Sequence, residues 1–217
     1  MNWKKTRFKN FKLYGVTDLK TGGREELALV EAAYRGGTDI IQLRSKALSD
    51  QQLYNFGLAV RALAQKHKKL FFVNDRIDLA LALKADGVHL GQDDLPIAAA
   101  RKMSRDAKIP LWVGKSTHEI RQAKEAVKEG ADYIGAGPVF ATPTKPGYRP
   151  AGLEYIQKVA RSNFRVPFVA IGGIDSKNIH QVLDAGAKRV AVVRALFNTG
   201  DTYASAKQLC EQIDELR

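Results

Sequence analysis

The chain has 217 residues, of which 45% are hydrophobic, and this is enough to bury one substantial core in a single domain. Its formal net charge of +12 allows nucleic acid, an acidic membrane surface or small anionic substrates as partners. The single cysteine, Cys210, excludes an internal disulfide and a thiolate metal cluster. No stretch approaches the ~18 apolar residues of a membrane span, and the basic N-terminus lacks the apolar region of a signal peptide. We therefore expect a cytoplasmic protein, or an organellar one from which a targeting segment has been removed.

Eight short apolar runs recur along the chain. They are rich in β-branched residues and mostly do not alternate, which is typical of strands buried on both faces. The runs are Leu13–Val16, Ile40–Leu43, Leu70–Val73, Gly87–Leu90, Leu111–Val113, Tyr133–Gly137, Phe168–Ile171 and Val190–Val193. The segments between them carry apolar residues at helical spacing. Ser49 with Gln52, and Ser116 with Glu119, have the spacing of a capping box at a helix start. Strands that alternate with helices predict a parallel sheet built from βαβ units.

A repeated sequence pattern precedes every second strand. The groups GTD, AD, GAD and GAK end at Asp39, Asp86, Asp132 and Lys188, which lie 47, 46 and 56 positions apart. Because each interval holds two βα units, we predict an α/β fold that is a single-domain (β/α)8 TIM barrel. An open doubly wound sheet is the alternative, but it would need more residues per unit or fewer strands. We assign residues 1–11 to a basic N-terminal segment and residues 12–217 to the barrel domain.

Candidate site residues follow from the fold, since the active site of such a barrel lies at the C-terminal ends of its strands. After the second run, Gln42, Arg44 and Lys46 alternate and therefore share one side of an extended backbone. Three polar groups on one side of a buried strand are costly unless an anionic group meets them. The alternative is that Arg44 and Lys46 simply reach solvent.

Two carboxylates follow the third and fourth runs. Asp75 and Asp94 are each explained alone as a helix N-cap, but at adjacent strand ends they could together hold Mg²⁺ with water and substrate phosphates. His89, inside the fourth run, is expected to be a satisfied core imidazole. Thr17 and Asp18, after the first run, are expected to form a turn that leads to a helix.

Phosphate-binding candidates follow the sixth, seventh and eighth runs. Thr142, Thr144 and Lys145 place two hydroxyls and an ammonium within four residues, although an ordinary surface turn has the same composition. The pair Gly172-Gly173 would let backbone N–H groups approach a phosphate, and the loops after strands seven and eight of such barrels often bind one. The sequence therefore predicts two anion sites, one at these glycines and one formed by the lysines and the metal. That arrangement suits displacement of a diphosphate leaving group.

Six segments, taken together and in order, resemble the thiamine-phosphate synthase family. They are QLRSK at 42–46, NDR at 74–76, GVHLGQDD at 87–94, GKSTH at 114–118, GAGPVF with TPTK at 135–145, and IGGI at 171–174. The family is a (β/α)8 barrel that couples hydroxymethylpyrimidine diphosphate to thiazole phosphate and gives thiamine phosphate and diphosphate. The chemistry that the resemblance implies is dissociative: diphosphate leaves, the aminopyrimidine stabilises a cation, and the thiazole nitrogen attacks.

The resemblance also implies roles for individual residues. Those that would contact the pyrimidine diphosphate are Gln42, Arg44, Lys46, Asn74, Ser116 and Lys145, with Lys46, Ser116 and Lys145 as the catalytic groups. Asp75 and Asp94 would bind Mg²⁺. Those that would hold the thiazole phosphate are Thr142, Thr144, Gly173, Val193 and Arg194. Many family members have serine where this chain has Arg194.

Two other functions compete with this interpretation. A thiazole tautomerase of a related family would not need the metal and diphosphate residues, which are present here. A basic nucleic-acid-binding protein would need exposed aromatic residues on a basic face, whereas the aromatic residues here fall largely in apolar runs. We expect small-molecule substrates and no nucleic-acid or membrane partner. A homo-oligomer and a carboxylated thiazole substrate both stay open.

Overall fold

The computed structural model describes residues 3–142 and 149–215. Eight parallel strands form one closed barrel, in which each strand pairs with the next and β8 pairs with β1. The strands are β1 (Leu13–Val16), β2 (Ile40–Leu43), β3 (Leu70–Asn74), β4 (Gly87–Leu90), β5 (Trp112–Thr117), β6 (Tyr133–Ala136), β7 (Phe168–Ile171) and β8 (Val190–Val192). The predicted (β/α)8 barrel is confirmed.

Helices alternate with the strands and pack around the barrel. In the two described ranges they are α1 (Trp3–Asn10), α2 (Arg24–Arg35), α3 (Asp50–Lys66), α4 (Ile77–Ala82), α5 (Ile97–Asp106), α6 (Ile120–Lys128), α7 (Gly152–Arg161), α8 (Ile179–Asp184), α9 (Arg194–Phe197) and α10 (Thr202–Glu215). Helix α1 precedes the first strand, and α9 is a single turn between β8 and α10. Among these helices, none has the length and apolar character that a bilayer span requires.

The sequence repeat has a structural cause at the N-terminal ends of the strands. Each of its three aspartates accepts a hydrogen bond from the backbone N–H of a residue at the start of the preceding strand or just before it. The pairs are Lys12 with Asp39 (2.9 Å), Phe71 with Asp86 (2.9 Å) and Val113 with Asp132 (2.7 Å). Each carboxylate also pairs with a lysine or an arginine. The repeat therefore ties odd strands to even strands at the end of the barrel opposite the predicted site.

Aromatic side chains fill the lower half of the barrel interior. Phe8 of α1 stacks on Trp112 with ring centroids 4.4 Å apart, and it also contacts Phe72 and Tyr133. Tyr14 lies edge-on to Phe72. The inward-facing rings of Tyr14 (β1), Phe72 (β3) and Tyr133 (β6) are each at most 2% exposed. Helix α1 thus covers the bottom of the barrel, and the tyrosines form a floor for whatever space lies above them.

Local signals were right at one predicted capping box and wrong at the other. Ser49 accepts a hydrogen bond from Gln52 N–H, and the Gln52 side chain bonds back, as the sequence predicted. Ser116, in contrast, lies inside β5, and α6 begins at Ile120 without a side-chain cap. The capping-box prediction at Ser116 is therefore wrong. The reason is that β5 is three residues longer than its apolar run, since Lys115, Ser116 and Thr117 pair with β6.

Candidate active site

A cavity of about 320 Å³ opens at the C-terminal ends of the strands, above the tyrosine floor. Side chains or backbone from all eight strands or the loops that follow them contribute to its wall. The predicted site residues that line it are Gln42, Arg44, Asn74, Ser116, Thr142, Gly173, Val193 and Arg194. Thr144 and Lys145 lie outside the described residues. These eight predicted contacts, from distant parts of the chain, thus face one common space, whereas Asp75 and Asp94 are not part of its wall.

Arg44 is the most deeply buried cation of this wall. The residue is 6% exposed, and its Nη1 atom lies 2.7 Å from Asp18 Oδ1. Thr17 accepts a hydrogen bond from the Arg44 N–H and donates its own hydroxyl to the Arg44 carbonyl oxygen. The sequence interpretation of Thr17 and Asp18 as a simple turn is corrected, because both hold the end of β2. Lys46, two residues further on, is exposed and outside the cavity wall.

The cationic neighbours of Asp18 favour its ionised form. Partial burial opposes its charge, but hydrogen bonds from Lys20 and Arg44 together with their charges outweigh that effect and lower the pKa of the carboxyl below its usual value. The carboxylate therefore offsets the charge of Arg44 when no anion is bound. It also fixes the guanidinium in one orientation toward the cavity.

The two predicted metal ligands lie at the rim of the barrel, at the ends of neighbouring strands. Asp75 follows β3 in a left-handed backbone conformation (φ 57°), its N–H donates to His89 O at 2.8 Å, and one carboxylate oxygen accepts from Asn74 Nδ2 at 2.6 Å. Asp94 follows β4 and accepts from Gly91 N–H at 2.5 Å. Neither side chain caps the next helix, because the N-cap positions are Arg76 and Pro96.

These rim residues fit a hard cation by the chemistry of their donors. Both carry carboxylate oxygens, which suit Mg²⁺ when water and substrate phosphate complete the coordination. The left-handed backbone of Asp75 is uncommon for a residue other than glycine and turns the chain sharply at the strand end. No group of three or more His, Cys, Asp or Glu side chains placed to hold a metal occurs within residues 3–142 and 149–215. A metal here would therefore depend on non-protein ligands as well.

Two glycines after β7 shape the predicted anion site, or seat, at the ends of strands β7 and β8. Gly172 and Gly173 have φ angles of 107° and 66°, which disfavour any side chain. A Cβ atom on Gly172 would lie 2.4 Å from Pro138 Cβ, and one on Gly173 would lie 2.7 Å from Ala141 O. The pair therefore packs against the loop that carries Thr142, with its backbone on the cavity wall.

A connected set of polar residues on the cavity floor was missed by the sequence reasoning. Tyr14, Tyr133, His89 and His118 all line the cavity. The expectation of a satisfied core imidazole at His89 is right about its partners, since its two nitrogens lie 2.9 Å from Tyr133 Oη and 2.9 Å from Ser116 Oγ. It is wrong about its burial, because the residue is half-buried and faces the cavity. His118 Nδ1 lies 2.5 Å from Gly137 O. For Tyr133 the sequence did hold a signal, because a glycine inside a strand often marks the close approach of another group. That glycine is Gly114, where a Cβ atom would lie 2.1 Å from the Tyr133 ring.

Together these features define a class of protein: a (β/α)8 barrel whose cavity, lined by polar and apolar residues, suits a small phosphorylated ligand. The sequence model of the thiamine monophosphate synthase family (TMP-TENI) matches residues 13–196. The chain belongs to this family, as the resemblance predicted, and membership is consistent with a metal-dependent enzyme.

Two curated relatives and one solved structure describe the similarity. Proteins named thiamine-phosphate synthase from Synechocystis sp. and Gloeobacter violaceus are 50% identical over 190 residues and 43% identical over 210 residues, which is 88% and 97% of this chain. The chain spans only 54% and 60% of those proteins, so it matches little more than half of their length. The structure of thiamine phosphate pyrophosphorylase from Pyrococcus furiosus superposes with a TM-score of 0.86 at 37% identity, over 97% of this chain and 98% of that one.

Proposed function

We propose that the chain is a thiamine-phosphate synthase, a transferase that joins a pyrimidine diphosphate to a thiazole phosphate and releases diphosphate. The observation that carries the proposal is that predicted contacts for the pyrimidine diphosphate (the first seat) and for the thiazole phosphate (the second seat) line one cavity. Of the predicted lysine and metal site, Lys46, Asp75 and Asp94 lie outside the cavity wall. Gln42, Arg44, Asn74 and Ser116 line one side, and the loops after β7 and β8 supply the glycine-rich side. Two substrates bound in one cavity can meet in a productive orientation, which lowers the entropic cost of their reaction.

The residues of the first seat would bind and orient the pyrimidine diphosphate. Arg44, fixed by Asp18, would hold phosphate oxygens with its planar fork, and the Asn74 amide and Ser116 hydroxyl would add hydrogen bonds. Lys46 is exposed near the same strand end, where it would reach the leaving diphosphate. Lys145 would do so from the loop outside the described residues. Groups already in place for the developing negative charge stabilise the transition state rather than the bound substrate.

Asp75 and Asp94 would hold Mg²⁺ at the rim of this seat. When bound, the ion would offset negative charge on the diphosphate. The chain's own contribution is to fix both carboxylates, through Asn74 Nδ2 on Asp75 and Gly91 N–H on Asp94.

The second seat would hold the thiazole phosphate. Backbone N–H groups at Gly173, and at Val193 and Arg194 after β8, would bind phosphate oxygens, with the hydroxyls of Thr142 and Thr144 beside them. An apolar cluster that includes Phe72 and Val169 packs around the tyrosines of the cavity floor, and it would limit water near a reactive cation. We also keep the cytoplasm as the proposed location and a homo-oligomer as an open possibility.

The test supplies both small substrates with Mg²⁺ and measures diphosphate and thiamine phosphate. The proposal expects stoichiometric release of both, and no diphosphate when either substrate is left out. A thiazole tautomerase would convert its substrate without releasing diphosphate. Absence of diphosphate under conditions where the full chain is folded would refute the proposal, and repeating the assay with the carboxylated thiazole would decide which thiazole form is used.

A further inference from the structure

A continuous line of hydrogen bonds crosses the cavity floor and joins five strands. We call it the floor relay, and its members are Gln42, Tyr14, Tyr133, His89 and Ser116. The four links are Gln42 Nε2 to Tyr14 Oη (2.8 Å), Tyr14 Oη to Tyr133 Oη (3.0 Å), Tyr133 Oη to His89 Nδ1 (2.9 Å) and His89 Nε2 to Ser116 Oγ (2.9 Å). Both of its ends are residues that the proposed function places against the pyrimidine diphosphate.

The chemistry of the members gives the relay a direction. An amide nitrogen can only donate, so the Tyr14 oxygen accepts from Gln42. Tyr14 then donates to Tyr133, and Tyr133 donates to His89 Nδ1. A neutral imidazole whose Nδ1 accepts carries its hydrogen on Nε2, so His89 donates to Ser116 Oγ. In this direction each donor along the relay has an acceptor, as buried polar groups require.

The opposite direction fits less well. Tyr133 would then donate to Tyr14, whose oxygen would receive two hydrogens, and the hydroxyl hydrogen of Tyr14 would have to find an acceptor in the cavity. Tyr14 and Tyr133 are 2% and 1% exposed, and burial raises the pKa of both phenols well above the usual tyrosine value. Both therefore keep their hydrogens at neutral pH, and the relay does not run through a phenolate.

The consequence lies at the two ends of the relay. Because Ser116 Oγ accepts from His89, its own hydrogen is free to point into the cavity. Because Gln42 uses its nitrogen on Tyr14, its oxygen is the group left to face a ligand. We propose that His89 and Tyr133 are positioning residues, which hold Ser116 as a hydrogen-bond donor and Gln42 as an acceptor toward the substrate. This inference rests on the proposed function for the identity of the substrate, but the direction of the relay does not.

Glycine residues make room for this arrangement. A Cβ atom on Gly114 would lie 2.1 Å from the Tyr133 ring, and one on Gly135 would lie 3.1 Å from His89 Cε1. Gly114 is in β5, next to the strand of Tyr133, and Gly135 is in β6, two strands from His89, at the point where the relay crosses from β6 to β4. The barrel interior is thus shaped around the relay on two sides.

The first experiment needs no turnover. Nitrogen NMR of the full chain labelled with ¹⁵N-histidine reads the tautomer of each of its four histidines, and a His89→Gln variant assigns the His89 signals. The relay predicts a neutral ring with hydrogen on Nε2, which becomes a mixture of tautomers in Tyr133→Phe. A wild-type ring with hydrogen on Nδ1, or a Tyr133→Phe spectrum equal to wild type, would overturn the proposal.

The second experiment asks whether Tyr133 acts through Ser116. Tyr133→Phe should lower kcat, and weaken binding of inorganic diphosphate, by about 10-fold, the scale of one lost hydrogen bond to a charged group. In a Ser116→Ala background the same change should have at most ~3-fold effect, because Ser116 is gone and Gln42 is the one positioned group that remains. Independent, multiplicative losses would show that Tyr133 is only structural.

Tyr34→Phe is the matched control. Tyr34 is 2% exposed and donates its hydroxyl to Leu70 O at 2.9 Å, so the variant loses a buried hydrogen bond of the same kind away from the described cavity wall. It should leave kcat and diphosphate binding unchanged. Failure of wild-type diphosphate release would refute the proposed function, while the tautomer and the diphosphate-binding results would still decide the relay.

Discussion

The glycine seat after β7 offers a direct test of where the thiazole phosphate binds. Gly173→Ala places a side chain in a left-handed conformation (φ 66°), which costs about 1–2 kcal/mol. The new Cβ atom would lie 2.7 Å from Ala141 O and 2.8 Å from Phe140 Cβ, and relieving that overpacking costs about 1–3 kcal/mol. Replacing glycine also lowers the conformational entropy of the unfolded chain, which offsets about 0.4–1 kcal/mol of this loss of stability. We therefore expect a net loss of about 1–5 kcal/mol in the free energy of unfolding.

The same clash should displace the backbone N–H groups that would hold the phosphate. A lost contact of about 1.5–3 kcal/mol with a charged group corresponds to roughly 10- to 150-fold in affinity. The KM for thiazole phosphate should rise by at least ~10-fold, whereas the KM for the pyrimidine diphosphate should change by less than ~2-fold. Steady-state kinetics with each substrate varied in turn, together with denaturant unfolding, measures both effects.

Gly130→Ala is the control for backbone strain alone. Gly130 has a φ of 92° at the opposite end of the barrel, and a Cβ atom there would meet nothing within 4 Å. The Gly130→Ala variant should be less stable than the wild type, with no change in the KM for thiazole phosphate or for the pyrimidine diphosphate. If Gly173→Ala and Gly130→Ala gave the same thiazole-phosphate KM, the seat would not be at Gly173, and the reasoning would fail.

Three further predictions concern the metal, the second phosphate and a helix end. Asp75→Asn and Asp94→Asn should each lower kcat by ~100-fold or more with the barrel still folded, and excess chelator should abolish wild-type turnover; full activity in chelator would contradict the metal site. Arg194 is exposed at the cavity wall, where its guanidinium should contact the thiazole phosphate. Arg194→Ser should therefore raise the KM for thiazole phosphate by at least ~10-fold. An unchanged KM would mean that the side chain does not contact the phosphate. Lys108 has a φ of 56° after α5, so Lys108→Gly should remove strain and stabilise the protein by about 0.5–1 kcal/mol, seen as a higher Tm; a lower Tm would refute this.

Local sequence determined most strand positions and the connection pattern. The predicted limits of β1, β2, β4 and β7 agree with the structure at both ends. The physical reason is that these strands are covered on both faces, so the length of the apolar run equals the length of the strand. The capping box at Ser49 is right for a related reason, since its two partners lie three residues apart on one turn of helix. Contacts within a few residues can be read from the chain itself.

Contacts between distant residues needed the tertiary structure. Ser116 has the local spacing of a helix cap, but pairing of β5 with β6 outweighs that signal and keeps it in a strand. Arg44 meets Asp18 across 26 residues, and His89 meets Tyr133 across 44, because barrel closure brings their strand ends or inward faces together. The spacing of apolar residues along the chain does not reveal which inward-facing residues lie in the same layer of the barrel. The relay on the cavity floor and the anchor of Arg44 are therefore products of the closed sheet rather than of any segment of the chain.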